Sequence, residues 1–159
     1  MFIKAAICLS FSDYCNVTPL MIATRNRDIP TLRVLLSYKS DLYRHGRVIR
    51  GELDYNTDVF QNALDVGAFE AAMVIAEAGY DMSRVDYLVD WSKTPTDSLV
   101  RDPGMLQFFR QQAVMVASLS RLAILAIRNR LTGHIPGKAT ALPLPKLLVR
   151  AVSMNNELT

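Results

Sequence analysis

Cysteine is nearly absent from this 159-residue chain, which has only Cys8 and Cys15, both near the N-terminus. A disulfide between residues so close would close a trivial loop, and neither thiol has the neighbouring His or Cys that a zinc site needs. Free thiols fit a reducing, intracellular compartment, most simply the cytoplasm. Histidine is as scarce: His45 and His134 stand without a ligand or catalytic neighbour at useful spacing, which argues against metal binding and acid–base roles. The chain lacks a glycine-rich phosphate loop, a nucleophile elbow and a His-Glu-x-x-His pair. Carboxylates such as Asp54, Asp58 and Asp65 read as cap and surface residues, so neither catalysis nor a cofactor is expected. Net charge is only +3, which gives nucleic acid little to respond to. Long apolar runs are missing too. Residues 5–11 follow Lys4 like a faint signal peptide but are short and lack a clear cleavage site. Residues 113–127 are broken by Ser118, Ser120 and Arg121 and fall short of the roughly 20 residues of a spanning helix, so no membrane partner is expected.

What the chain does have is apolar content, 50% of its residues, and enough length to bury a real core. The most informative stretch is SLSRLAILAIRNRL, residues 118–131, followed after a Gly/Pro break by LPLP at 142–145 and an apolar end, KLLVRAV. Leu119, Leu122, Ala123, Ala126 and Ile127 recur at three- and four-residue steps and so share one helical stripe. Ile124 and Leu125 widen it beyond what a solvated helix shows, which calls for a covering partner.

This segment resembles a SOCS box, the module by which substrate receptors dock onto Elongin C and a cullin scaffold in ubiquitin ligases. The Elongin-binding half reads small or Pro, Leu, three residues, Cys, then an aliphatic residue four further on. Ser118, Leu119, Ser120, Arg121 and Leu122 follow it, Ala123 stands in place of Cys, and Ile127 takes the aliphatic slot. The cullin-selecting half is an LPxP turn, matched by Leu142, Pro143, Leu144 and Pro145 with Ile135 upstream. The resemblance implies Elongin B and Elongin C as partners through Leu119, Leu122, Ala123, Ala126 and Ile127. It implies a cullin-five scaffold through Ile135 and residues 142–145.

The rest of the chain contains an internal repeat. VTPLMIATRNRDIPTLRVLLSYKSDL, residues 17–42, resembles one ankyrin repeat: Thr18 can cap a helix that Pro19 opens, Ala23 is the small residue between helices, and Leu32, Leu35 and Leu36 face the core. Met21 replaces the usual His, and Arg27 and Lys39 replace turn glycines, which predicts two strained turns. A second copy, residues 58–82, aligns Ala63 with Ala23, Gly67 with Arg27 and Gly79 with Lys39, each 40 residues apart against a usual period of about 33. The finger between them is therefore long. It carries Tyr43, Arg44, His45, Arg47, Arg50 and Tyr55, a basic and aromatic set suited to an acidic segment of a protein substrate, or else simply a solvated loop.

A degenerate third unit spans 94–114, with Thr94 and Pro95 as a helix start, Met105, Leu106, Phe108 and Phe109 as its apolar face, and Trp91 filling the junction. An N-terminal helix over 1–14 would cover the first repeat. The expectation is an all-α chain: an ankyrin-repeat solenoid over 1–114 and a helical SOCS box over 115–155. The resemblance to ankyrin-repeat and SOCS-box proteins implies a non-catalytic substrate receptor. The alternative is a plain ankyrin adaptor whose C-terminal helices only cap the repeats.

Overall fold

The computed structural model describes residues 17–50, 53–115, 119–131 and 133–153. The expected N-terminal helix and both cysteines lie outside that set. Among the described residues the architecture is mostly helical, with one two-stranded sheet.

Local chemistry starts three of the four helices of the two hairpins. Helix α1 (Pro19–Arg25) is capped by Thr18, whose Oγ1 accepts from Met21 N at 3.2 Å, with Pro19 in the first turn. Asp28 does the same for α2 (Ile29–Ser37), accepting from Thr31 N at 3.1 Å. Forty residues on, Asp58 caps α3 (Val59–Asp65) through Gln61 N at 2.9 Å, and α4 (Phe69–Glu77) follows. The two hairpins stack first helix on first helix and second on second, α1 against α3 and α2 against α4. Ala23 and Ala63 are buried in the contacts, where a larger side chain would hold the helices apart.

The turns repeat as well. Gly67 and Gly79 have φ of 67° and 111°, and at the equivalent positions Arg27 and Lys39 hold 55° and 58°. The left-handed conformation costs a non-glycine residue roughly 1–2 kcal/mol, so the two substitutions do carry the predicted strain.

The long finger is not an irregular loop. Its residues form an antiparallel hairpin of β1 (Gly46–Arg50) and β2 (Leu53–Thr57), with Val48 opposite Tyr55 and Arg47 opposite Asn56. Side chains alternate across the pleat: Val48 and Thr57 are buried, while Arg47 and Asn56 are exposed.

The third unit departs from the first two. After a 3₁₀ turn (Met82–Arg84) and the short α5 (Asp86–Val89), α6 (Asp97–Arg101) begins at Thr96, two residues beyond the expected Thr94. A single residue, Asp102, then separates α6 from α7 (Pro103–Val114) and caps it by accepting from Met105 N at 3.1 Å. Phe109 enters the core edge-on to Phe60. Trp91 does not fill the junction: it is 72% exposed, with Arg110 stacked over its ring at 5.1 Å. A large ring that can keep a cation on one face and water on the other has no need of the core.

The C-terminal helices are α8 (Leu119–Arg130), α9 (Ile135–Thr140) and α10 (Lys146–Ser153). They build a second, small cluster around Ile135, Ala139 and Val152, joined by Ile124, Ile127, Leu131 and Val149. Among the described residues no helix is long and apolar enough to cross a membrane.

Candidate docking surface

Helix α8 has two unlike sides. Leu119 is 85% exposed and Leu122 50%, and Ala123 and Ala126 are exposed with them, a continuous apolar stripe at steps of three, four and seven residues. Its other side is engaged. Leu125 lies against Gly79, so close that a Cβ at Gly79 would come within 2.6 Å of Leu125 Cδ2. Ile124 and Ile127 pack on the C-terminal cluster. Ile127, read from the sequence as part of the stripe, therefore sits at its border and supports the helix from within.

The LPLP turn follows α9. Pro143 and Pro145 are exposed while Leu142 and Leu144 are half-buried. Leu144 N donates to Leu142 O at 2.8 Å, and Pro145 O accepts from Leu148 and Val149 to open α10. Ile135, read as the upstream aliphatic contact, is only 1% exposed at the centre of the cluster, so it braces the turn and offers no surface.

In the finger, the two tyrosines are structural. Tyr43 stacks on Tyr80 at 5.1 Å, its Oη accepts from Asp81 N at 3.0 Å, and Arg84 lies 4.4 Å over its ring. Tyr80 in turn stacks on Phe60 and donates to Asp58 Oδ2 at 2.6 Å. Burial first, and then that carboxylate, pushes the Tyr80 phenol far above the usual tyrosine range, so it remains a neutral donor. Tyr55 donates to Asp65 Oδ2 at 3.1 Å, pinning the hairpin to α3. Among the described side chains of the finger, Arg44, His45, Arg47 and Asn56 are exposed, and His45 donates from Nδ1 to Tyr43 O at 3.0 Å. The Arg50 side chain lies outside the described set. Between the finger base and α8 opens a cavity of about 400 Å³, lined by Leu42, Tyr43, Lys39, Leu125 and Arg128 among others.

Sequence reading missed the polar contacts beneath α8. Arg128, 5% exposed, donates from Nη2 to Leu36 O at 3.3 Å and from Nη1 to Val152 O at 2.5 Å. Arg121 donates from Nη2 to Ala76 O at 3.1 Å, and Lys39 Nζ donates to Asn129 O at 2.8 Å. The available signal was two arginines seven apart on the side of α8 opposite the apolar stripe. Among the described residues no group of three His, Cys, Asp or Glu is gathered as metal ligands would be. No protein-family model, no curated protein and no solved structure was found to match the chain.

Proposed function

We propose that this chain is a non-catalytic substrate-recognition subunit of an Elongin–cullin–SOCS-box ubiquitin ligase, in which an ankyrin-type repeat array captures a protein substrate. The observation that carries this reading is the open stripe of Leu119, Leu122, Ala123 and Ala126 on a helix whose opposite side is already docked. A stripe so exposed in a chain with a packed core elsewhere marks a surface awaiting a partner. Leu119 and Leu122 would enter Elongin C, the LPLP turn would meet cullin-five, and the basic finger would face an acidic substrate segment. Ubiquitin transfer itself would belong to other subunits. The test is co-purification of the full chain with Elongin B and Elongin C.

The prolines of LPLP fix φ at two positions, so the turn is preorganised for a contact. Replacing residues 142–145 with alanines is expected to lose cullin-five while Elongin C is retained in pull-downs. Loss of both together would mark the turn as purely structural.

A second reading is favoured by a specific observation: the inner side of α8 caps the repeat helices through Arg121 and Arg128. A plain adaptor would need only that cap, and Ala123 would then mark lost Elongin binding. The two readings separate at Ala123. It is exposed one turn beyond Leu119, where the SOCS-box pattern has Cys. Ala leaves a gap the size of one missing group without adding a clash, a loss of about 1 kcal/mol, or roughly five- to tenfold in affinity. Ala123→Cys is therefore expected to tighten Elongin B/C binding by that factor in calorimetry. Unaltered or weaker binding would favour the adaptor.

A further inference from the structure

The arginines under α8 occur at a spacing that matches the repeat. Arg121 and Arg128 are seven residues apart, two turns of helix, about 10.5 Å along its axis and nearly on one face. Their acceptors, Ala76 O and Leu36 O, occupy equivalent places in the two hairpins, 40 residues apart, near the C-terminal ends of α4 and α2. Packed helices lie about 8–10 Å apart, so one step along α8 spans one step of the repeat.

The chemistry fits the placement. The C-terminus of a helix carries negative partial charge that a cation complements, and Leu36 O and Ala76 O, which already accept Lys39 N and Gly79 N, can take a further donor on a second lone pair. Neither α2 nor α4 has a basic residue in its last turn. The cations come from α8 instead. The exchange is reciprocal at one end, because Lys39, just past the end of α2, donates to Asn129 O near the end of α8 at 2.8 Å and to Leu131 O just beyond it at 3.4 Å. Arg128 also reaches Val152 O and so ties α2, α8 and α10 together. Burial lowers the Arg128 pKa from its ordinary value, a cost that its two carbonyl bonds offset.

We infer that Arg121 and Arg128 are positioning residues, a clamp that reads the two hairpin ends and thereby dictates which side of α8 faces a partner. With both engaged, the helix cannot roll without breaking charge-assisted bonds, and Leu119, Leu122, Ala123 and Ala126 are held outward. Gly79 adds to the fit, since a Cβ there would come within 2.6 Å of Leu125 Cδ2 and the Leu125 side chain would have to move. That this outward face receives Elongin C rests on the function proposed above; the clamp itself does not.

The test is amide hydrogen exchange on the full chain, followed by mass spectrometry. A twelve-residue helix is marginal alone in water, so protection of α8 reports its docking. Arg121→Met combined with Arg128→Met should lower α8 protection at least about tenfold while α1 to α4 stay protected. Should that pair unfold the whole chain, a swap decides: Ser120→Arg with Arg121→Ser keeps charge and composition but turns the donor about 100° around the helix. The swap should lose α8 protection as well, and Arg121→Lys should keep most of it. Unchanged α8 protection in the swap would overturn the clamp. Elongin B/C affinity should fall in the swap although the open stripe is untouched. Loss of protection in a chain that never binds Elongin B/C would sustain the clamp and refute the docking partner.

Discussion

Ala63→Asp should unfold the stacked hairpins. Ala63 is completely enclosed on α3, which packs against α1 on one side and α4 on the other. Aspartate would place an ionisable group inside the buried apolar cluster, and protonating it would still leave a buried hydroxyl and carbonyl to satisfy. It also adds volume where only a methyl group fits. The combined cost is several kcal/mol, set against the 5–15 kcal/mol total stability of an ordinary domain. Thermal melting followed by circular dichroism should show a transition lowered by tens of degrees or lost. A melting temperature equal to that of the unsubstituted chain would reject the packing of α3 between its neighbours.

Leu119→Asp should do the reverse, leaving the fold intact and removing the partner. Leu119 is 85% exposed, so in the isolated chain a carboxylate there meets only water and the melting temperature should stay within about a degree or two. In a complex with Elongin C the same position would be covered. Burying a leucine contributes about 1.5–3 kcal/mol, and burying aspartate in its place adds a desolvation cost of similar or larger size. Elongin B/C capture should weaken by roughly a hundredfold or more and vanish from a pull-down. Undiminished capture would show that the docking helix lies elsewhere.

Much of this molecule is legible in its sequence. Thr18, Asp28 and Asp58 start helices through contacts three residues away, and such local chemistry is written in the chain. The 40-residue copy placed Arg27 and Lys39 opposite Gly67 and Gly79, which foretold positive φ at both non-glycine positions. The stripe of Leu119, Leu122, Ala123 and Ala126 followed from period alone. The hairpin in the finger was missed, although Val48 opposite Tyr55 obeys a period of two; five residues a side carry too little pattern to stand out against a turn-rich neighbourhood. Tyr43 and Tyr55 looked like contact residues because an aromatic side chain in a loop reads the same whether it meets a ligand or a neighbouring helix.

The chain by itself determined the helical hairpins, their period and the presence of an apolar stripe near the C-terminus, because each depends on residues a few positions apart. Only tertiary structure decided which part of that stripe stays open. Ile127 and Ile135 turn inward because α10 packs against both α8 and α9 and gathers their apolar residues into one cluster. The facing of α8 is set by Arg121 and Arg128 meeting carbonyls 45 and 92 residues away in the sequence. Backbone carbonyls carry no residue identity, so nothing in the sequence marks them as partners until packing brings the helix ends together.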